Sequence, residues 1–170
     1  MKHLATVSWL SVAALLAACG SEKTGSVTTP DGKTAEYRID EANGETSMTI
    51  QTPEGEATMR SGEAVPAKLP AGFTLYPGTQ VVTSTIVNNP DGAGTMVVFK
   101  APAKASDIIA HYKGQAASAG YAIEVEATMN ETMMLSGKNA ASGASFMVST
   151  GAVVDGKTGG QLVFGKDKSG

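Results

Sequence analysis

Few side chains in this 170-residue chain are suited to chemistry, and their spacing narrows the choice further. Acid–base and nucleophilic catalysis most often use histidine. Of the two present, His3 immediately precedes the N-terminal apolar run, which leaves His111 beside Tyr112. At helical spacing His111 falls at the border of an apolar stripe, the place of a half-exposed helix residue rather than a base. Glu124 and Glu126 alternate along a strand-like run. That pattern puts both carboxylates on one wet face, opposite Ile123 and Val125. No Gly-x-Ser-x-Gly, His-Glu-x-x-His or P-loop occurs, and the 20 glycines follow turns rather than a phosphate cradle. The chain therefore reads as a non-enzyme with no catalytic residues and no cofactor.

Thioethers and phenols are the remaining candidates. Methionine sulfur binds Cu(I) when several thioethers converge. Met129, Met133 and Met134 form the one sequence cluster, and they straddle an apparent hairpin turn. A small-ligand or Cu(I) carrier built on them is the alternative reading. Methionines filling gaps in an aromatic-poor core are the simpler account. Tyr112 sits centrally on the helical stripe, where bulk is needed. Tyr76, next to Pro77-Gly78, is the candidate for an exposed partner contact.

The one cysteine, Cys19, excludes an internal disulfide and a paired-cysteine metal site. It follows Lys2, His3 and a run of apolar and small residues from Leu4 to Ala18, too short for a permanent membrane span. Leu16-Ala17-Ala18-Cys19 resembles a bacterial lipobox. That resemblance implies a signal peptide over 1–18, a diacylglyceryl thioether on Cys19, and acylation (as by palmitate) of the new amino terminus. Acyl chains contribute roughly 0.8 kcal/mol per buried methylene, so several hold a protein on a membrane. Gly20-Ser21, with no Asp after the cysteine, points to the outer membrane by the enterobacterial sorting pattern.

The rest divides unevenly. Residues 19–29 are small and polar and read as a lipidated flexible tether. Residues 30–65 read as an acidic β-meander, because Thr29-Pro30-Asp31-Gly32 recurs as Thr52-Pro53-Glu54-Gly55. Each copy leads into a strand-like run ending in arginine, and Asn43-Gly44 between them is a hairpin signal. Tyr37/Ile39 and Met48/Ile50 give this meander one thin apolar face. Over 19–65 nine acidic side chains face four basic ones, whereas 66–170 carries seven against eight. The overall charge of −3 offers no footprint for nucleic acid.

Seven of the eight aromatics beyond residue 19 lie in 66–170, so the core belongs there. Strands are expected over 80–87, 95–100, 121–129, 132–137, 144–150 and 161–165, with one helix over 106–119. Ile108, Ile109, Tyr112 and Ala116 share that helix's apolar face, and Gly120 suits its C-terminal cap. The fold class is α+β: an antiparallel sheet with one helix packed across it, preceded by a small meander.

Leu75-Tyr76-Pro77-Gly78-Thr79 resembles the Leu-Tyr-Pro-Gly-Ala opening of a group of bacterial envelope-domain proteins. In that group a strand with a central Phe follows, then a helix with Phe-Tyr, then Gly-Trp. Here Val97-Val98-Phe99, His111-Tyr112 and Gly120-Tyr121 stand in those places. The chain also resembles small sphingomonad-type lipoproteins. The resemblance implies the architecture and the envelope location, and it carries no catalytic residue. The expectation is a lipid-anchored periplasm-facing envelope protein of binding or accessory type, partnered by the membrane and an envelope protein.

Overall fold

The computed structural model describes residues 21–28, 34–52 and 55–167. Cys19 and the rest of the signal run lie outside them. Ten strands and one helix follow in the order β1 (Ser21–Thr28), β2 (Thr34–Ala42), β3 (Glu45–Thr52), β4 (Gly55–Gly62), β5 (Gln80–Asn88), β6 (Gly92–Ala101), α1 (Ala105–Ser118), β7 (Ala122–Met129), β8 (Thr132–Lys138), β9 (Ala144–Val154) and β10 (Lys157–Asp167). All ten strands belong to one antiparallel sheet in the spatial order β1-β2-β3-β4-β5-β6-β10-β9-β8-β7. A sheet with one helix was expected, but the molecule is more sheet-dominated than that description. The meander runs directly into the main sheet, because β4 pairs with β5 from Thr58↔Asn88 to Gly62↔Ser84. Ser21–Thr28, read as tether, pair along their whole length with β2. The alternation of small polar residues there suits a strand as well as a linker, and only the neighbouring strand decides between them.

Hairpin chemistry explains the tight corners. Asn43, Asn130 and Asp155 take left-handed φ of 51°, 55° and 53°, as two-residue hairpin turns require. Asp155-Gly156 extends β9 and β10 well past the expected 144–150 and 161–165. The helix ends in a Schellman motif: Tyr121 N–H donates to Ala116 O at 2.9 Å and Gly120 N–H to Ala117 O at 3.2 Å. Gly120 makes this possible with a φ of +78°.

One face of the sheet holds the core. Val97, Phe99, Leu135, Phe146, Val148, Leu162 and Phe164 bury against Ile108, Ile109, Tyr112 and Ala116 of α1. The helix covers β7, β8 and β9. The segment between β4 and β5 runs along the same side, where Phe73 packs on Phe164, Tyr121 and Phe146 at ring separations of 4.8, 5.4 and 5.5 Å.

The register assigns the meander's apolar residues to the other face. Ile39, Met48, Met59 and Val87 stand directly opposite one another across β2 to β5. Met96, Val163 and Met147 continue the row across β6, β10 and β9. No described helix or loop packs on this face, and its residues are half-buried by their sheet neighbours alone. The meander's helix-side face is charged instead: Arg38 pairs with Glu22 at 2.8 Å and Asp40 at 3.2 Å, and Arg60 pairs with Glu45. The Arg60 guanidinium holds the Glu45 carboxyl below its ordinary value.

Candidate ligand-binding site

The site is built where the β4–β5 segment crosses the sheet. Its first half, Lys68-Leu69-Pro70, borders an open cleft of about 300 Å³, with Leu69 packed at the edge of the core. Ile86 and Asn88 of β5, Thr95 of β6, Phe164 of β10, Ala144 of β9 and Tyr121 line it beneath the strap. The walls are mostly apolar, and Lys68 is the one charged residue among them.

Local sequence explains why the strap holds. Pro66 and Pro70 stiffen it, and Ser84 Oγ donates to Pro66 O at 3.4 Å. Phe73 N–H donates to Pro70 O at 3.1 Å, which turns the chain so that the Phe73 ring enters the core. Gly72 sits at φ +90°, and a Cβ there would come within 2.9 Å of Ala119 Cβ on the helix end. The Schellman turn delivers Tyr121 to the cleft wall, where burial raises its phenol pKa.

The second half of the segment is tied to α1 by polar side chains. Thr74 N–H donates to Gln115 Oε1 at 3.1 Å, and Gln115 Nε2 donates to Thr74 Oγ1 at 2.8 Å. His111 Nε2 lies 3.0 Å from Gln115 Nε2, and the His111 ring packs edge-on against Tyr76 at 5.2 Å. His111 thus stands among residues that clamp the segment. Tyr76 is half-buried in that clamp rather than standing free as an exposed contact: its N–H donates to Tyr112 Oη at 3.2 Å. Burial raises the Tyr112 phenol pKa, opposed in part by that hydrogen bond.

Two other expected groupings come apart. In β7 a register shift between Ile123 and Val125 places Glu126 opposite Leu135 on the helix side, where it pairs with Lys113 at 2.6 Å. Glu124 and Glu126 therefore do not alternate along one wet face. Val125 turns to the bare face and is 41% exposed. In the β7–β8 hairpin, Met134 shares the bare face with Ala127, whereas its neighbour Met133 packs at the edge of the core. Met129 is 73% exposed at the tip. The three thioethers do not converge, and the described residues contain no His/Cys/Asp/Glu group fit to hold a metal.

Of the cleft residues, only Tyr121 carries a sequence signal, through its place after Gly120. Pro66 and Pro70, which stiffen the segment, are the local sequence signal for it. Ile86, Thr95 and Phe164 are ordinary strand positions until the strap crosses them.

No curated protein and no solved structure matches the chain. A family model described as START domain-like matches residues 80–169, which takes in β5 to β10, α1 and the sheet floor of the cleft. It points to a ligand-binding domain, compatible with a non-enzymatic binding role. The chain belongs to the START domain-like family.

Proposed function

We propose that this protein is a lipid-anchored binding protein of the bacterial cell envelope that takes a small apolar ligand in the cleft beneath Lys68–Pro70. The observation that carries the reading is the cleft's lining: aliphatic and aromatic walls with one cation at the rim, set within the family-matched sheet. Apolar pockets with a few placed polar groups are the usual form of small-molecule sites. Lys68 at the mouth suits a ligand whose polar end is anionic. Leu16-Ala17-Ala18-Cys19 supports the anchor and the periplasm-facing location at the outer membrane. The reading is of a non-enzymatic role, supported by a lining without histidine, cysteine or carboxylate.

The test is native mass spectrometry of the protein purified from cells, paired with solvent extraction. The expected result is a stoichiometric small apolar molecule. A Thr95→Phe variant, which fills the cleft floor, loses that molecule while keeping the wild-type circular dichroism spectrum. Protein that carries no bound molecule, and gains none when offered fatty acids or isoprenoids, would falsify the reading.

A further inference from the structure

The bare face of the sheet and the position of the lipidation motif belong to one device. β1 begins at Ser21, two residues after Cys19. Two extended residues reach about 7 Å. A headgroup layer is itself about 5–7 Å thick, from the difference between the whole bilayer and its hydrocarbon core. A lipid on Cys19 therefore brings the β1 edge of the sheet to the headgroups with no spacer between, within reach of either face.

The two faces differ in fitness for that contact. The helix side of β1 to β4 carries Glu22, Glu36, Asp40 and Glu45, which an anionic headgroup surface repels and lipid cannot solvate. The other side carries the row from Ile39 through Met48, Met59 and Val87 to Met96 and Met147. Strand alternation puts Lys23, Lys100 and Lys138 around that row, against the single carboxylate of Glu41 at its β1–β2 end. An apolar centre with lysines at its margin is the charge pattern that binds an anionic bilayer surface, with each stem lying on apolar atoms and each ammonium reaching phosphate. Methionine side chains are flexible enough to seat on an irregular surface.

We propose that the sheet lies flat on the bilayer through its Met-rich face, held there by the acylated Cys19, so that α1 and the ligand cleft face the aqueous compartment. This rests on the lipid-anchor part of the proposed function. The attachment makes docking intramolecular, so a weak surface affinity suffices.

The experiment uses the full chain, acylated in cells and reconstituted into phosphatidylethanolamine–phosphatidylglycerol vesicles. Acylation blocks the Cys19 thiol, so a single introduced cysteine can take a nitroxide label. Met59→Cys and Met147→Cys report the bare face at two separate places, and Glu36→Cys reports the charged face. Intact mass first establishes the acyl groups on Cys19. The expected result is that collision with a water-soluble nickel chelate falls several-fold at positions 59 and 147 relative to 36, while collision with oxygen rises. Equal nickel access at all three positions in acylated protein would overturn the membrane-lying sheet and leave the anchor standing. Spin–spin broadening at 59 or 147 that vanishes on dilution with unlabelled protein would also overturn it, by showing a second copy on that face. Protein with a free Cys19 thiol would remove the anchor, and this proposal with it.

Discussion

Tyr112 is the largest of the fully buried side chains, and its hydroxyl accepts the Tyr76 N–H. Tyr112→Phe leaves that N–H without its partner and is expected to cost about 1–2 kcal/mol, read as a shift in urea midpoint. The pH dependence follows from burial. The Tyr112 phenol is raised in the folded state above an unfolded value of about 10. The folded state therefore holds its proton longer, so the stability is fully present below pH 10 and falls as pH rises through the folded value. Tyr121 is raised by the same cause and adds to the loss. Urea midpoints should decline above pH 10, less steeply in Tyr112→Phe. Gly160 is equally constrained, because a Cβ there would lie 2.4 Å from the Phe99 ring and 2.9 Å from Ser149 O. Gly160→Ala should destabilise by about 1–3 kcal/mol through overpacking, and thermal unfolding would show it. The Lys113–Glu126 pair is half-exposed on both sides. Glu126→Gln is expected to cost less than about 1 kcal/mol, and the difference should vanish in high salt.

At the scale of elements, the sheet has two halves held by different forces. β5 to β10 share the core with α1, whereas β1 to β4 contribute no residue to it. The meander is held by its ladders and by exposed ion pairs, the kind of element that opens sub-globally before the whole molecule unfolds. Native-state hydrogen exchange should therefore show the amides of β1 to β4 exchanging well before those of β6, β9 and β10. Uniform protection across all ten strands would contradict this division. The two meander hairpins repeat each other in structure as in sequence: Glu22–Arg38 in the first corresponds to Glu45–Arg60 in the second. The Thr-Pro-Asp/Glu-Gly repeat thus announces a duplicated hairpin with a duplicated ion pair, laid edge to edge.

For the whole molecule, the helix-side face divides into three zones: helix over β7 to β9, strap over the central strands, and charged open sheet over β1 to β4. The open cleft lies where the strap crosses the sheet. Among the described residues, no helix or loop covers the reverse face from β2 to β9. Much of this was readable from residue order alone. An antiparallel sheet with one helix, the positions of α1 and of the main strands, the Gly120 stop and the apolar helix face follow from local pattern, because periodicity and capping act within a few residues; the dominance of one ten-stranded sheet does not. The Asn43-Gly44 hairpin is legible for the same reason. What the sequence could not decide is which face of the sheet each strand's apolar set would join. A register shift of one residue reverses a strand's faces, and the shift in β7 moved Glu126 from the wet side to the helix side. The meander's Tyr37/Ile39 and Met48/Ile50 pattern is plain in the chain. Only the β4–β5 pairing places it on the face opposite the core. The cleft is of the same kind, made by residues more than seventy positions apart whose types are unremarkable singly. Local pattern determined the elements, and tertiary pairing alone decided the sidedness and the site, because pairing is a property of two strands and never of one.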